Sequence, residues 1–288
     1  LGAFNEQTPH WLAYFMFTFF TDRDGKYQLA SLAESGFDPL ARTCQFMLTE
    51  EAHHMFVGET GIMRIVQRTC KVMNDLKTDD PTKVREAGAI DLPTLQRFIN
   101  FHYSVSLDLF GQERSTNGAN YFTTGLKGRY RESRIADDHT LLDSTWPVHF
   151  PRDGAIVQED TPALLAVNER LRDDYIADTQ RGVARWNKLI KHEHIDYDFV
   201  LPHRGFNRRI GVFADVEVSP EGDVISSEDA GVMKDVWLPT SKDHAFAKSL
   251  MRPVREPGAM ASWIAPPGRG INNQPLDFCY VRAPQIPS

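Results

Sequence analysis

The stretch 49–55 (TEEAHHM) contains two overlapping Glu-x-x-His pairs, Glu50 with His53 and Glu51 with His54. Residues three apart on a helix point to the same side, so each pair could offer a carboxylate and an imidazole to one metal ion. Iron, manganese and zinc all accept such ligands. The motif alone is weak evidence, because surface helices also contain it by chance.

The helical neighbours of Glu51 distinguish the two pairs. Steps of four residues along a helix bring Glu51 next to Met47 and Met55, on an apolar face. An ionised carboxylate on such a face costs several kcal/mol unless it is paired or bound to a metal. We therefore expect Glu51 and His54 to be ligands, and the other pair, whose neighbours are more polar, to lie at the rim.

Two helices must position these groups. Thr8-Pro9 predicts the start of a first helix over about 8–33, and Asp38-Pro39 predicts the start of a second over about 39–73. The two form an antiparallel hairpin that turns near Gly36. Asp22 is 14 residues before Gly36 and Glu51 is 15 after it. At about 1.5 Å per residue the two carboxylates lie at the same height.

Two interpretations of Asp22, Glu51 and His54 stay open at this point. One is an ordinary buried Asp–His pair without a metal. The other is half of a di-iron site, since ferritin-like bundles build that site from two helix pairs, each with a carboxylate and a Glu-x-x-His motif. The sequence has no further Glu-x-x-His outside the stretch 50–54. The economical explanation is that the partner helix pair lies upstream of Leu1, outside this chain.

The rest of the chain predicts a mainly all-α fold, a ferritin-like di-iron bundle without one helix pair. We expect a helical part over 1–195 and an irregular extension over 196–288, which packs on the bundle and holds ten of the seventeen prolines. The other predicted elements are helices over 91–110, 161–191 and 243–251, a long irregular segment over 111–160, and a small β-hairpin over 210–226.

The composition excludes several classes of protein. The chain has 288 residues and a formal net charge of −7, which argues against a dedicated nucleic-acid binder. Three cysteines without a Cys-x-x-Cys motif give neither a disulfide framework nor a thiolate metal site. The most apolar run, 11–20, is about half the length of a membrane span. We therefore expect a cytoplasmic protein that does not enter a membrane.

Several segments resemble the oxygenase components of benzoyl-coenzyme A 2,3-epoxidases. The resemblance extends from Leu1 to the C-terminal tail, and those oxygenases are longer at the N-terminus, so this chain resembles their C-terminal part. The segments are NEQTPHWLAYFMFTFFTDRDGKYQL, LTEEAHHMFVGETGI, HYSVSLDLF, ANYFTTGLKGR, NERLRDDY and GINNQPLDF.

The resemblance implies a di-iron monooxygenase of aerobic benzoate degradation. Such an enzyme uses O2 to form an epoxide across the ring of benzoyl-CoA, with electrons from a separate NADPH-dependent reductase that carries FAD and an iron–sulfur cluster. Carried over by motif, the catalytic iron ligands are Asp22, Glu51 and His54. Because the other ligand pair is absent, we expect this fragment alone to be inactive.

The substrate needs a wall for its benzoyl ring and cations for its phosphates. An aromatic cluster near the start of the first helix is the candidate wall, although a bundle core looks the same. Two basic clusters in irregular segments are the candidates for the phosphates, although loop charges in an acidic protein also fit the pattern. The residues are Trp11, Tyr14, Phe15 and Phe19 for the ring, and Lys127, Arg129, Arg131 and Arg134, or His203, Arg204, Arg208 and Arg209, for the phosphates.

Other functions remain as alternatives. One is a non-catalytic, helical acyl-CoA-binding or scaffold protein with a buried Asp–His pair. Another is a related di-iron protein, such as a hydroxylase of a different CoA thioester or a radical protein. A measurement of bound iron distinguishes the acyl-CoA-binding or scaffold protein from the oxygenase. A measurement of substrate turnover distinguishes the related di-iron protein from it.

Overall fold

The computed structural model describes residues 2–128, 143–255 and 259–269. Within these ranges the fold is mainly helical with a two-stranded antiparallel sheet, which confirms the predicted mainly all-α class with a small β-hairpin. The elements are α1 Trp11–Leu32, α2 Asp38–Leu76, α3 Pro81–Glu86, α4 Leu92–Leu107, α5 Thr116–Thr123, β1 Thr145–Arg152, β2 Ala155–Pro162, α6 Val167–His192, α7 Ser227–Trp237 and α8 Ser241–Leu250. The sequence pattern does not predict α3, α5 or α7.

Helices α1 and α2 form the predicted antiparallel hairpin, but α1 begins later than Thr8-Pro9 suggests. His10 is its N-cap, because the Nδ1 atom of His10 accepts a hydrogen bond from the backbone N–H of Ala13 at 3.1 Å. Proline follows Asp38 in the first turn of α2, as predicted. Lys77 ends α2 in a left-handed conformation with φ of 50°.

Helix α1 is the centre of the bundle. It packs against α2, α4 and α6, so apolar side chains cover most of its surface. Phe19 contacts Trp186 of α6 with ring centroids 4.5 Å apart, and Phe20 contacts Tyr103 of α4 at 6.2 Å. Phe19, Phe20 and Trp186 are fully buried. This packing fixes the rotation of α1, and therefore the direction of its polar residues.

Two glycines of α2 let the hairpin close tightly. A Cβ atom at Gly58 would lie 2.5 Å from the backbone N of Phe19 and 2.8 Å from the carbonyl O of Phe15. A Cβ atom at Gly61 would lie 2.5 Å from the ring of Phe15. Two of these neighbours of Gly58 are backbone atoms, which cannot rotate away, and the third is Thr18 Oγ1 at 2.7 Å. Only a residue without a Cβ allows α1 and α2 to approach this closely.

We expect Gly58→Ala to lower the free energy of unfolding by about 2–3 kcal/mol, because the added methyl group forces the two backbones apart. The matched control is Gly231→Ala in α7, where an added Cβ has nothing within 4 Å. That change should stabilise the protein by about 0.5–1 kcal/mol, since alanine favours the helix. Urea unfolding of both variants tests this. Equal changes in the free energy of unfolding for the two variants would contradict the close approach of α1 and α2 at Gly58.

The two-stranded sheet lies outside the segment 210–226 that is predicted as a hairpin. It forms over β1 and β2, almost entirely inside the segment 111–160 expected to be irregular, and turns at Asp153-Gly154, where both residues have positive φ. Thr161-Pro162, the predicted start of a helix, ends β2 instead, and α6 begins at Val167. Asp-Gly is a strong hairpin signal that the sequence reading missed.

The hairpin predicted over 210–226 forms only around its turn, where Val218 and Val224 make an antiparallel bridge and the Ile225 N–H donates to the Glu217 carbonyl O at 3.0 Å. The first part of the predicted strand is instead a 3₁₀ turn, Gly211–Phe213.

A side chain explains why the segment near Gly211 is not a strand. The buried carboxylate of Glu113 accepts a hydrogen bond from the backbone N–H of Val212 at 2.9 Å. That backbone group is therefore not available for a strand ladder. Glu113 also accepts a hydrogen bond from Arg208 at 3.1 Å, which holds this segment against the helices.

Residues after 195 contact the helical part at several points. Phe199, Trp263 and Ile264 belong to the main hydrophobic core. The backbone N–H of Ala265 donates to the carbonyl O of Arg64 at 3.0 Å. Among the residues that the structure describes, no helix is both long and apolar enough to span a lipid bilayer.

Candidate metal centre

Asp22 of α1 meets Glu51 and His54 of α2, as the count from the turn predicted. One ligand atom from each of the three side chains can be chosen so that all lie within 4.8 Å of one another. The His54 Nδ1 atom is 3.6 Å from Asp22 Oδ2 and 3.8 Å from Glu51 Oε2. These distances are too long for hydrogen bonds. They are within the span of two ligands that bind one ion at about 2.1 Å each.

The carboxylates of this cluster are electrostatically unsatisfied. Burial raises the pKa of Asp22 to about 7; the nearby charge of Glu51 adds to this increase and His54 opposes it. Burial also raises the pKa of Glu51, against the effect of His54. The Oε2 atom of Glu51 is buried, and it has no hydrogen-bond partner in the part of the chain that the structure describes. A cation would satisfy that oxygen and stabilise both charged carboxylates. The three residues therefore fit a metal ion.

The other Glu-x-x-His pair lies outside this cluster. Glu50 and His53 are both exposed on the outer surface of α2. Among the described residues, the cluster of possible metal ligands contains neither of them. Their position agrees with the expectation that they lie at the rim.

A buried ion-pair cluster next to Asp22 was not predicted from the sequence. Arg23, which is 4% exposed, donates from Nη1 to Asp178 Oδ2 of α6 at 2.8 Å and from Nη2 to Glu59 Oε2 of α2 at 3.4 Å. Lys26 also contacts Asp178, at 2.9 Å. Burial opposes ionisation of Asp178, but the hydrogen bond from Lys26 and the charge of Arg23 outweigh it and lower its pKa. Arg23 thus joins α1 to two helices beside the candidate centre.

We expect Arg23→Met to lower the free energy of unfolding by about 2 kcal/mol. Breaking one partner of a buried pair costs about 3–5 kcal/mol, but Lys26 still partners Asp178 in this variant. The control is Arg42→Met, since Arg42 makes an exposed pair with Asp38 and should matter by less than about 0.5 kcal/mol. Urea unfolding compares the two. A difference under about 0.5 kcal/mol between the free energies of unfolding of the two variants would show that the buried ion pairs of Arg23 do not stabilise the bundle.

The aromatic residues proposed for the ring separate into two groups. Trp11 and Tyr14 are exposed, with 55% and 38% of their surface accessible. Phe15 packs against Gly61, and Phe19 packs against Gly182 and Trp186. The rings of Phe15 and Phe19 are therefore packed inside the bundle core. This placement does not support a role for either ring in the wall of a benzoyl pocket.

The second basic cluster is largely neutralised by buried carboxylates. Arg208 donates from Nε to Asp108 and from Nη2 to Glu113. Arg204 donates to Glu169 and to Asp173. These ion pairs hold the loop before Gly211 against α6, through Arg204, and against the segment 108–113, through Arg208. The placement therefore does not support phosphate binding by Arg204 or Arg208. Arg209 has an exposed side chain.

The first basic cluster lies partly outside the described residues, which include Lys127 but not Arg129, Arg131 or Arg134. Lys127 donates from Nζ to Gln28 Oε1 at 2.7 Å. Burial lowers its pKa, and the charge of Asp24 opposes this effect. Asp24 is itself buried, at 4% exposure, and accepts a hydrogen bond from Gln28 at 3.5 Å. Lys127 therefore belongs to an interior polar chain.

Comparison with known proteins gives one informative match. No protein-family model matches the chain. Benzoyl-CoA oxygenase component B of Aromatoleum evansii is 60% identical over 282 residues, which make up 98% of this chain and 60% of that protein. The chain thus spans about three fifths of the length of the curated relative it matches. The resemblance inferred from the motifs is confirmed: almost the whole chain is similar to a large part of a benzoyl-CoA oxygenase component.

Proposed function

We propose that this chain is part of the oxygenase component of a di-iron monooxygenase that forms the 2,3-epoxide of benzoyl-CoA. The observation that carries the proposal is the cluster of Asp22, Glu51 and His54, with a buried Glu51 oxygen that lacks a partner among the described residues. The printed name and the 60% identity of the relative support the choice of benzoyl-CoA as substrate.

In this proposal Asp22, Glu51 and His54 hold one iron ion of the pair. When bound, the iron centre would activate O2, with electrons that a reductase provides. The chain contributes the three ligands and holds a proton at Asp22 before the metal binds. Burial gives Asp22 a pKa of about 7, so this carboxyl group holds a proton through the weakly acidic range and releases it when a cation binds.

The ligands of the second iron come, in this proposal, from a helix pair that precedes this chain in a longer protein. Two observations support it. The chain spans 60% of the relative. The first half of α2 also exposes large apolar side chains, with accessible fractions of 79% for Phe46, 44% for Met47 and 64% for Phe56. Several large apolar side chains exposed along one helix are typical of a surface that another element covers.

The electron donor in this proposal is a separate NADPH-dependent reductase with FAD and an iron–sulfur cluster. The relative is named as component B, which supports the existence of a further component. Because the chain has neither a Cys-x-x-Cys motif nor more than three cysteines, it offers no cluster of its own.

The test uses the longer protein encoded by the reading frame that contains this chain. It should retain two iron ions per chain, and with reductase, NADPH and ¹⁸O2 it should convert benzoyl-CoA into a product that carries one ¹⁸O atom. A protein that binds benzoyl-CoA without iron and leaves it unchanged would be the acyl-CoA-binding alternative. Turnover of a different CoA thioester but not of benzoyl-CoA would show a related oxygenase instead.

A further inference from the structure

The outer side of the second half of α6 is a basic surface to which the proposed chemistry assigns no role. Exposed cations follow one another along it at steps of three or four residues, so they form one stripe on the helix. We call this stripe the α6 basic face. Its cations are Arg181, Arg185, Lys188 and Lys191.

The carboxylates beneath the α6 basic face do not cancel its charge. Two acids lie there, Asp178 and Glu59, and only 12% and 19% of their side-chain surface is exposed. Arg181 pairs with Asp178, and Arg185 pairs with Glu59. Both acids also contact the buried Arg23, so each already shares its charge with a second cation. The surface that faces the solvent is therefore positive.

Two lysines extend this positive surface toward the end of α6. Lys188 is exposed and makes no ion pair or hydrogen bond with another described residue. Lys191 is 3.4 Å from Asp198, but both side chains are well exposed, and such pairs are weak. The two lysines also line an open groove of about 480 Å³ between α6 and the segment 198–200. The groove leaves both amino groups accessible to a partner.

The other exposed residues of this face are small or polar. They are Ala177, Gln180 and Ala184, and no large apolar side chain is exposed on 177–191 in the described structure. The first half of α2 is different, since it exposes Phe46 and Phe56. Permanent interfaces are large and apolar, whereas the interfaces between electron-transfer proteins are small and transient. The α6 basic face therefore suits a partner that binds briefly and through charge.

The α6 basic face also lies beside the candidate metal centre. Arg181 pairs with Asp178 at the surface, and Asp178 pairs with Arg23 inside the bundle at 2.8 Å. Arg23 directly follows Asp22 in α1. One carboxylate and one guanidinium thus separate the face from the backbone of a proposed iron ligand. Because the rate of electron transfer falls steeply with distance, a donor protein must dock close to the metal that it reduces.

The net charge of the chain makes this face selective for an acidic partner. The chain carries a formal charge of −7, so an acidic protein is repelled by the molecule as a whole. A local positive surface attracts it and fixes its orientation, because complementary charges steer two proteins during their encounter. Docking at the α6 basic face would turn such a partner toward the metal centre.

We propose that the α6 basic face docks the acidic surface of the protein that donates electrons to the iron centre. Its four cations steer the donor, and the small residues between them allow close contact. This inference rests on the proposed function, because an oxygenase of this kind needs an electron donor.

The test follows electron transfer from the purified reductase to the longer, iron-loaded protein. The variant Arg181→Gln/Lys188→Gln/Lys191→Gln should lower kcat/KM for the reductase about tenfold at about 0.02 M salt. At about 0.5 M salt the difference should be less than about twofold, because salt screens the attraction. Reduction of the iron by dithionite, which needs no docking surface, should be unchanged. Asp178 keeps Arg23 as a partner, so the variant should fold.

The matched control is Lys83→Gln/Lys234→Gln/Lys242→Gln, which removes three exposed cations from α3, α7 and α8. It should leave kcat/KM for the reductase within about twofold of the unmodified protein. Equal losses in the two triple variants, or a kcat/KM that does not depend on salt, would overturn the assignment.

A second measurement does not depend on turnover. Acetylation of the longer protein should label Lys188 and Lys191, and the reductase should protect both but not Lys83. Lysines that are unreactive without the reductase would show that another segment or a second copy covers the face, which would overturn the proposal. Normal turnover without this protection would overturn the docking surface while the oxygenase function stands. Protection in a protein without iron or turnover would support the docking surface and contradict the oxygenase function.

Discussion

Replacing Glu51 or His54 by alanine is expected to abolish iron binding at this centre in the longer protein, so that bound iron falls from two ions to one. Loss of a side chain that supports a ligand costs about 10–100-fold in metal affinity, and loss of a direct ligand costs more. The reason is geometric, because His54 Nδ1 lies 3.6–3.8 Å from the carboxylates of both other residues. Metal analysis after desalting measures the effect.

The matched control for this prediction is Glu50→Ala, one residue away on the exposed side of α2. It should leave the iron content unchanged, because Glu50 lies outside the cluster of possible ligands in the described structure. Equal iron loss in Glu50→Ala and Glu51→Ala would mean that the ligands lie on the other face of α2.

Asp22→Asn is expected to stabilise the metal-free protein by about 2 kcal/mol at pH 8 and to have little effect at pH 4. Burial and the charge of Glu51 raise the folded pKa of Asp22 from 3.8 to about 7. Each pKa unit corresponds to about 1.4 kcal/mol. The upper limit for the stabilisation by Asp22→Asn at pH 8 is therefore about 4 kcal/mol. Since the side chain is 16% exposed, we expect water to reduce this by about half.

The sign follows from proton binding. Between pH 3.8 and about 7 the folded state binds more protons at Asp22 than the unfolded state does, so stability falls as pH rises through this window. Because an asparagine side chain stays neutral, the Asp22→Asn variant does not lose stability at this position as the pH rises. Urea unfolding from pH 4 to 8 should show a flatter curve for Asp22→Asn, whereas the exposed control Glu50→Gln should follow the unmodified protein. A destabilised Asp22→Asn at pH 8 would show that the carboxylate is already satisfied without a metal.

The three candidate ligands could be predicted because they depend only on local regularities. Helical spacing pairs Glu51 with His54, and the rise per residue places Asp22 at the same height on the neighbouring helix. The turn at Gly36 fixes the register of the hairpin. No contact between distant segments was needed for this prediction.

Features that depend on distant segments could not be predicted in the same way. The partners of Arg23 lie on α2 and α6, with Asp178 155 residues away in the chain. Arg208 meets Asp108 across 100 residues. From the sequence alone such arginines look like free surface cations, which is why the sequence offers Arg204 and Arg208 as candidates for phosphate binding. The missing start of the strand predicted at 210–218 has the same origin, since Glu113, from outside that segment, accepts the hydrogen bond of the Val212 backbone N–H.

We propose that Asp22, Glu51 and His54 bind one metal ion together. The most direct measurement is anomalous X-ray diffraction at the iron edge from crystals of the 288-residue chain grown anaerobically with ferrous iron. We expect an anomalous peak between the Glu51 Oε2 atom, the Asp22 carboxylate and the His54 Nδ1 atom. A map without a peak there, in which a protonated Asp22 donates a hydrogen bond to Glu51, would contradict it.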